Sequence, residues 1–126
     1  MKKEFIALSV IAAILVFSIV NAHYVRSRAA DFSDEVRAAQ QICAGGADKR
    51  AAKSVSDSLD GWLEWHKYAH IMLRHSEVDG VTEAYYDLLA ELQSSDGETA
   101  PAAFGKVEQK LHNIADMEQM SIGSIL

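Results

Sequence analysis

The apolar stretch from Phe5 to Val20, interrupted in polarity only by Ser9 and Ser18, constrains this chain more than any other part of it. A helix that crosses a bilayer core of about 30 Å needs roughly 20 apolar residues, and Phe5 to Ala22 falls just short of that length. Lys2 and Lys3 precede it, so the positive-inside rule places the N-terminus in the cytoplasm and the chain from His23 outside. Arg26 and Arg28 oppose that orientation with equal charge. A secretory signal has the same basic and apolar order, and Val20-Asn21-Ala22 offers the small residues a signal peptidase reads. Against cleavage, Val25, Ala29, Phe32, Val36, Ala39 and Cys43 continue beyond Ala22 at spacings of four and three, which is one face of a helix. The expectation is a single long helix leaving the membrane and entering a domain. Residues 1–22 are then a transmembrane anchor or uncleaved signal, and residues 23–126 an extracytoplasmic helical domain. Such a chain is a single-pass protein of the cell membrane with its N-terminus cytoplasmic, or a secreted one if cut after Ala22. Tyr24, Arg26 and Arg28 stand where interfacial aromatic and snorkelling cationic side chains belong.

About a hundred residues remain beyond the anchor, enough for one small domain around one core. Lys2, Lys3 and Glu4 are the only charged residues before His23, so the excess of 18 acidic over 12 basic residues falls on that domain. An acidic module is a poor ligand for nucleic acid, which is excluded as a partner, and its charge favours solubility. Cys43 is the only cysteine, so no internal disulfide forms. Its place on the apolar face points to a buried thiol, although a lone exported cysteine can also join two copies, so homo-oligomerisation stays open.

Helical spacing dominates the rest of the chain. Gly45-Gly46 suits the end of the first helix, and Asp48 suits the cap of the second. The second carries Val55, Leu59, Trp62, His66, Ala69 and Leu73 on one stripe, widened by Leu63, Trp65 and Met72. Ser76-Glu77-Val78-Asp79 has the spacing of a capping box, ending the second helix near His75 and opening a third with Val78, Val81, Tyr85, Leu88 and Leu92 inward. Thr99 and Pro101 restart a fourth, striped by Phe104, Val107, Leu111 and Ile114, and Ser121 is placed to cap a last short turn. The expected fold is all-α: a transmembrane helix continuing into an antiparallel bundle of about four helices, or into two stacked helical hairpins.

No Gly-rich phosphate loop, Gly-x-Ser-x-Gly or catalytic Cys/His pair occurs, so no catalytic or cofactor-binding residue is assigned and an enzyme is the least supported class. His66 and His70 are one turn apart, the spacing at which two imidazoles share a zinc ion, with His75 just beyond. Lys67 stands where a metalloprotease helix places Glu, and His66 lies within an apolar stripe, which equally describes a hydrogen-bonded core histidine. His75, Asp79, Glu83, Asp87 and Glu91 follow at intervals of four, so the third helix crowds like charge on one face, each pair costing roughly 0.2 to 0.5 kcal/mol. Lys106 and Lys110 can neutralise it across a hairpin, or the acidic face can meet a basic partner or a divalent cation.

The combination of Trp62 or Trp65, Leu73, His75-Ser76-Glu77-Val78-Asp79 and the ending Ile114…Glu118…Ser121-Ile122-Gly123-Ser124-Ile125-Leu126 resembles the short membrane-anchored proteins grouped as domain of unknown function 4363. The resemblance runs over nearly the whole chain, and it departs at Ser124, where that pattern has Asn. It implies family-motif roles for Trp62, His75, Glu77 and Asp79, an anchored helical protein of Gram-positive, clostridia-like bacteria, and a small multi-span membrane protein as partner. It implies no activity. Two functions therefore compete: a non-enzymatic interaction or accessory module for a membrane partner, and a ligand-sensing or metal-binding domain built on His66, His70 and His75.

Overall fold

The helix that begins in the apolar run does not end with it. α1 spans Lys2–Ala44 without a break, α2 spans Asp48–Met72, α3 His75–Gln93 and α4 Ala100–Ile125. The computed structural model describes residues 1–73, 75–94 and 100–125, with side chains as far as residue 117 except those of 72 and 100; among these residues there is no strand. At 1.5 Å per residue α1 is about 65 Å long.

Burial divides α1 into two parts. Phe5, Ile6, Leu8, Ile14 and Phe17 are all more than half exposed, and touch no core. From Ala22 onward one residue in three or four disappears from solvent: Ala22, Val25, Ala29, Phe32, Val36 and Ala39. This helix is long and apolar enough to cross a membrane. A bare apolar face of that length has no stable place in water, whereas the second part buries a stripe as amphipathic helices do.

The core forms where the four stripes meet. α1 packs on α2 and α4, and α3 packs on the same two. Trp62, Tyr85, Phe32, Phe104, Leu88, Leu111 and Ile114 are its largest fully buried side chains. Every residue expected on the stripes of α3 and α4 is buried. On α2 the stripe shifts: Trp65 is 7% exposed and takes the core position between Trp62 and Ala69, while His66 is only half-buried. An indole withdraws more apolar area from water than an imidazole, so the helix rotates toward it.

Contacts fix the running directions. Trp65 donates its indole N–H to the Tyr24 hydroxyl, Ser58 donates to Glu35, and Phe32 meets Trp62 edge-on at 5.4 Å, so α1 and α2 run in opposite senses. Thr82 accepts from Trp62 and Tyr85 pairs with Ser58, which makes α3 antiparallel to α2. Lys106 meets Asp87 and the Lys110 stem covers Gly80, which makes α4 antiparallel to α3.

Helix ends depart from three expectations. Asp48 is the first residue of α2 and not its cap; Ala47 holds the cap position without a side-chain bond, and the Asp48 carboxylate accepts from the Cys43 thiol at 3.5 Å. That contact and burial raise the thiol pKa, burial being the larger cause. Ser76 lies inside α3, which already begins at His75, so no capping box forms there and the Asp79 carboxylate is free for other partners. No separate turn opens at Ser121, because α4 runs through it to Ile125; Thr99 lies outside the described residues. The end of α1 is as expected. Gly46, at φ +90°, holds a left-handed turn in which its N–H bonds Cys43 and the Ala47 N–H bonds Ile42, satisfying two end carbonyls.

Candidate functional site: a histidine cluster at the α2–α3 turn

α2 and α3 are joined by the tightest connection described in the chain. Leu73 takes an extended conformation, φ −121° and ψ 168°, with its N–H still bonded to Ala69, and α3 starts two residues later. In an antiparallel hairpin closed so abruptly, His70 comes opposite His75 and His66 opposite Asp79.

Four side chains converge as a result. His70 Nε2 lies 2.7 Å from His66 Nε2 and 3.3 Å from Asp79 Oδ1, and the same oxygen is 3.9 Å from His66 Nε2. On its other edge, His70 Nδ1 is 2.7 Å from His75 Nδ1. The rings of His66 and His70 are 3.9 Å apart at their centres, and His75 meets His70 edge-on. His66, His70 and Asp79 thus offer three ligand atoms within 4.8 Å of one another. The His66 and His70 side chains are 27% and 25% exposed, and Asp79 is 63% exposed, so one wall of the site is protein and the other is solvent.

The histidines read from spacing are therefore brought together, and a fourth member, Asp79, joins them from the acidic stripe. Burial lowers the His66 pKa, repulsion from His70 adds to this, and the nearby Asp79 opposes it. A neutral imidazole is the form that carries a ligand lone pair.

The acidic stripe does not act as one surface. Asp79 faces the histidines, Asp87 is 3.7 Å from the Lys106 ammonium, and Glu83 stays exposed. Glu91 is half-buried with an interaction of its own. Of Trp62, His75, Glu77 and Asp79, Trp62 is fully buried, Glu77 is half-buried, and His75 and Asp79 belong to the cluster.

A second polar group is one that spacing and motif do not single out. Ser58, buried on the apolar face of α2, is 2.8 Å from the Tyr85 hydroxyl and donates to Glu35 at 3.2 Å. Its signal in the sequence is a serine three residues after Val55 and four before Trp62, a position that must be inside. Beside the turn, Tyr68 bonds Asn21 and meets Tyr24 edge-on, so the cluster lies at the end of the domain where α1 sheds its partners.

Compared with family models, curated proteins and solved structures, the chain matches none.

Proposed function

We propose that this chain is a single-span membrane protein whose α1 holds an antiparallel four-helix bundle outside the cytoplasm, where the bundle serves as a non-enzymatic accessory module for a membrane partner. One observation carries the reading: a single unbroken helix is bare and apolar up to Val20 and packed into a core from Ala22. Phe5 to Val20 rises about 24 Å, short of the roughly 30 Å hydrocarbon thickness, and the Lys2 and Lys3 side chains can snorkel outward to make up part of the difference. The span and the domain share a helical turn at Asn21 to Val25, so tilt or rotation of one is passed to the other with no flexible joint between them.

The same turn supports retention of the anchor. Asn21 is bonded to Tyr68 and Ala22 is 1% exposed, so a cut after Ala22 removes two residues that the domain uses. Lys2 and Lys3 favour the cytoplasmic N-terminus. The resemblance to the domain of unknown function 4363 proteins supports the same placement and a multi-span protein as partner. Glu83, exposed on α3, is the acidic position left for a basic partner surface, Asp87 being engaged by Lys106.

The test uses intact protoplasts expressing the chain with an epitope after Leu126. Protease added outside removes the epitope, while the membrane-bound protein recovered without protease still begins at Met1. A soluble form starting at His23, or an epitope protected until lysis, refutes the reading.

A further inference from the structure

We propose that His66, His70 and Asp79 bind a borderline divalent transition-metal ion of the zinc class, with His75 holding His70 in the ligating orientation. The first argument is distance. Tetrahedral zinc with nitrogen and oxygen ligands at 2.0 to 2.2 Å sets its ligand atoms about 3.3 Å apart. The three separations here are 2.7, 3.3 and 3.9 Å, so they straddle that value. Parting the His66 and His70 nitrogens by about 0.6 Å and closing the His66–Asp79 separation by as much completes the triangle, small movements for rings that are a quarter exposed and a carboxylate that is more so.

The second argument is the proton count, assigned from the hydrogen-bond pattern. His70 Nδ1 faces His75 Nδ1, so a proton on His70 Nδ1 donated to His75 leaves His70 Nε2 as a lone pair. His66 Nε2 faces that lone pair and Asp79 Oδ1 together. Moving the single proton of neutral His66 from Nε2 to Nδ1, a tautomer change that keeps the ring neutral, leaves three ligand atoms with lone pairs around one centre for the cation. Metal-ligating histidines nearly always donate the other ring N–H to an acceptor that fixes tautomer and ring plane, and His75 occupies that place.

The third argument is openness. Two imidazoles and one carboxylate fill three positions, and the exposed Asp79 side leaves the fourth to water. Imidazole with carboxylate suits zinc and its neighbours, and the affinity order places Zn²⁺ above Mn²⁺ and Fe²⁺ for the same ligands. Calcium and magnesium prefer all-oxygen shells, which this set does not provide.

The experiment titrates the full chain in detergent micelles, free of any affinity tag containing histidine, with Co²⁺ as the spectroscopic probe and Zn²⁺ as its competitor. The expected result is one Co²⁺ per chain with the intense visible bands of a four-coordinate ion, displaced by Zn²⁺, and a melting temperature that rises with Zn²⁺. His66→Ala with His70→Ala lowers affinity at least 100-fold. Asp79→Asn, at an exposed position with no core contact, lowers it as well and carries the test should the double variant not fold. His75→Ala costs 10- to 100-fold while His75→Asn, which keeps an acceptor near the Nδ1 position, restores most of it. His112→Ala, in the separate His112–Asp116 pair on α4, leaves binding unchanged. Absence of stoichiometric binding, a six-coordinate spectrum, or binding indifferent to His66, His70 and Asp79 overturns the proposal.

Discussion

Trp62 concentrates the energetics of the domain in one side chain. It is fully buried, meets Phe32 edge-on, and donates to Thr82 Oγ1 at 2.8 Å, so its polar edge is satisfied inside the core. Truncation to Ala leaves a cavity and removes one of the two hydrogen bonds of the Thr82 hydroxyl, which still donates to the Val78 carbonyl; the expected loss of about 3 to 5 kcal/mol approaches the whole stability of a domain this size. Trp62→Ala should abolish the cooperative melt seen by near-ultraviolet circular dichroism; a sharp, unshifted transition contradicts its central place. Tyr85 makes a pH prediction. Burial raises its phenol pKa above the ordinary value, the Ser58 hydrogen bond opposes this, and the Glu35 charge adds to it. The unfolded phenol ionises near 10, so the folded state has its full stability below that pH and loses it as pH climbs from about 10 toward the higher folded value. Urea titrations should show this alkaline decline in the wild type and a shallower one in Tyr85→Phe. These residues also mark the reach of sequence reading: the inward positions of Trp62 and Tyr85 follow from spacing alone, but their polar partners Thr82 and Ser58 sit on another helix, and only the hairpin register pairs them.

Helix ends are harder to read from sequence than helix faces, and the α1–α2 corner shows why. A Gly-Gly pair announces a stop, yet only one of the two glycines needs its freedom. Gly46 has φ +90° with open space where a methyl group would stand, so strain and not crowding is what a side chain would meet there, whereas Gly45 has φ −80°. Gly46→Ala should therefore cost about 1 to 2 kcal/mol from backbone strain alone, and Gly45→Ala should be nearly neutral. Chemical denaturation of the two variants checks the contrast; equal losses exclude this assignment. Asp48 and Ser76 resemble caps because Asp and Ser are good ones, but α2 begins one residue and α3 two residues earlier than that reading allows. The tertiary contacts of Cys43 with Asp48, and of Asp79 with the histidines, draw those carboxylates elsewhere.

For the whole molecule, the decisive contrast is between the bare and the packed parts of α1. Ile11 is 56% exposed and belongs to no core, so Ile11→Lys should leave the melting of the domain unchanged. In a span the same change costs about 2.5 to 3.5 kcal/mol of insertion free energy. Fractionation of cells expressing Ile11→Lys should show the chain shifting from the carbonate-resistant membrane pellet to the soluble or degraded pool. Retention in the pellet at the wild-type level argues against a membrane span.

The sequence by itself determined the helical class, the inward stripe of α1 as far as Ala39, where half-buried Cys43 turns to Asp48 instead, those of α3 and α4, and an apolar N-terminal segment close to membrane length, because period and hydropathy are local properties written into consecutive residues. It also placed His66 and His70 one turn apart. What only the tertiary structure decided was which of these features meet. The abrupt turn after Met72 sets His70 against His75 and His66 against Asp79, converting one acidic residue of a stripe into the fourth member of a histidine cluster. The rotation of α2 toward Trp65 left His66 at the edge of the core, where its nitrogen reaches solvent and carboxylate together. Such pairings depend on interhelical register, which is set by the packing of large side chains distant in sequence, and no local spacing encodes it.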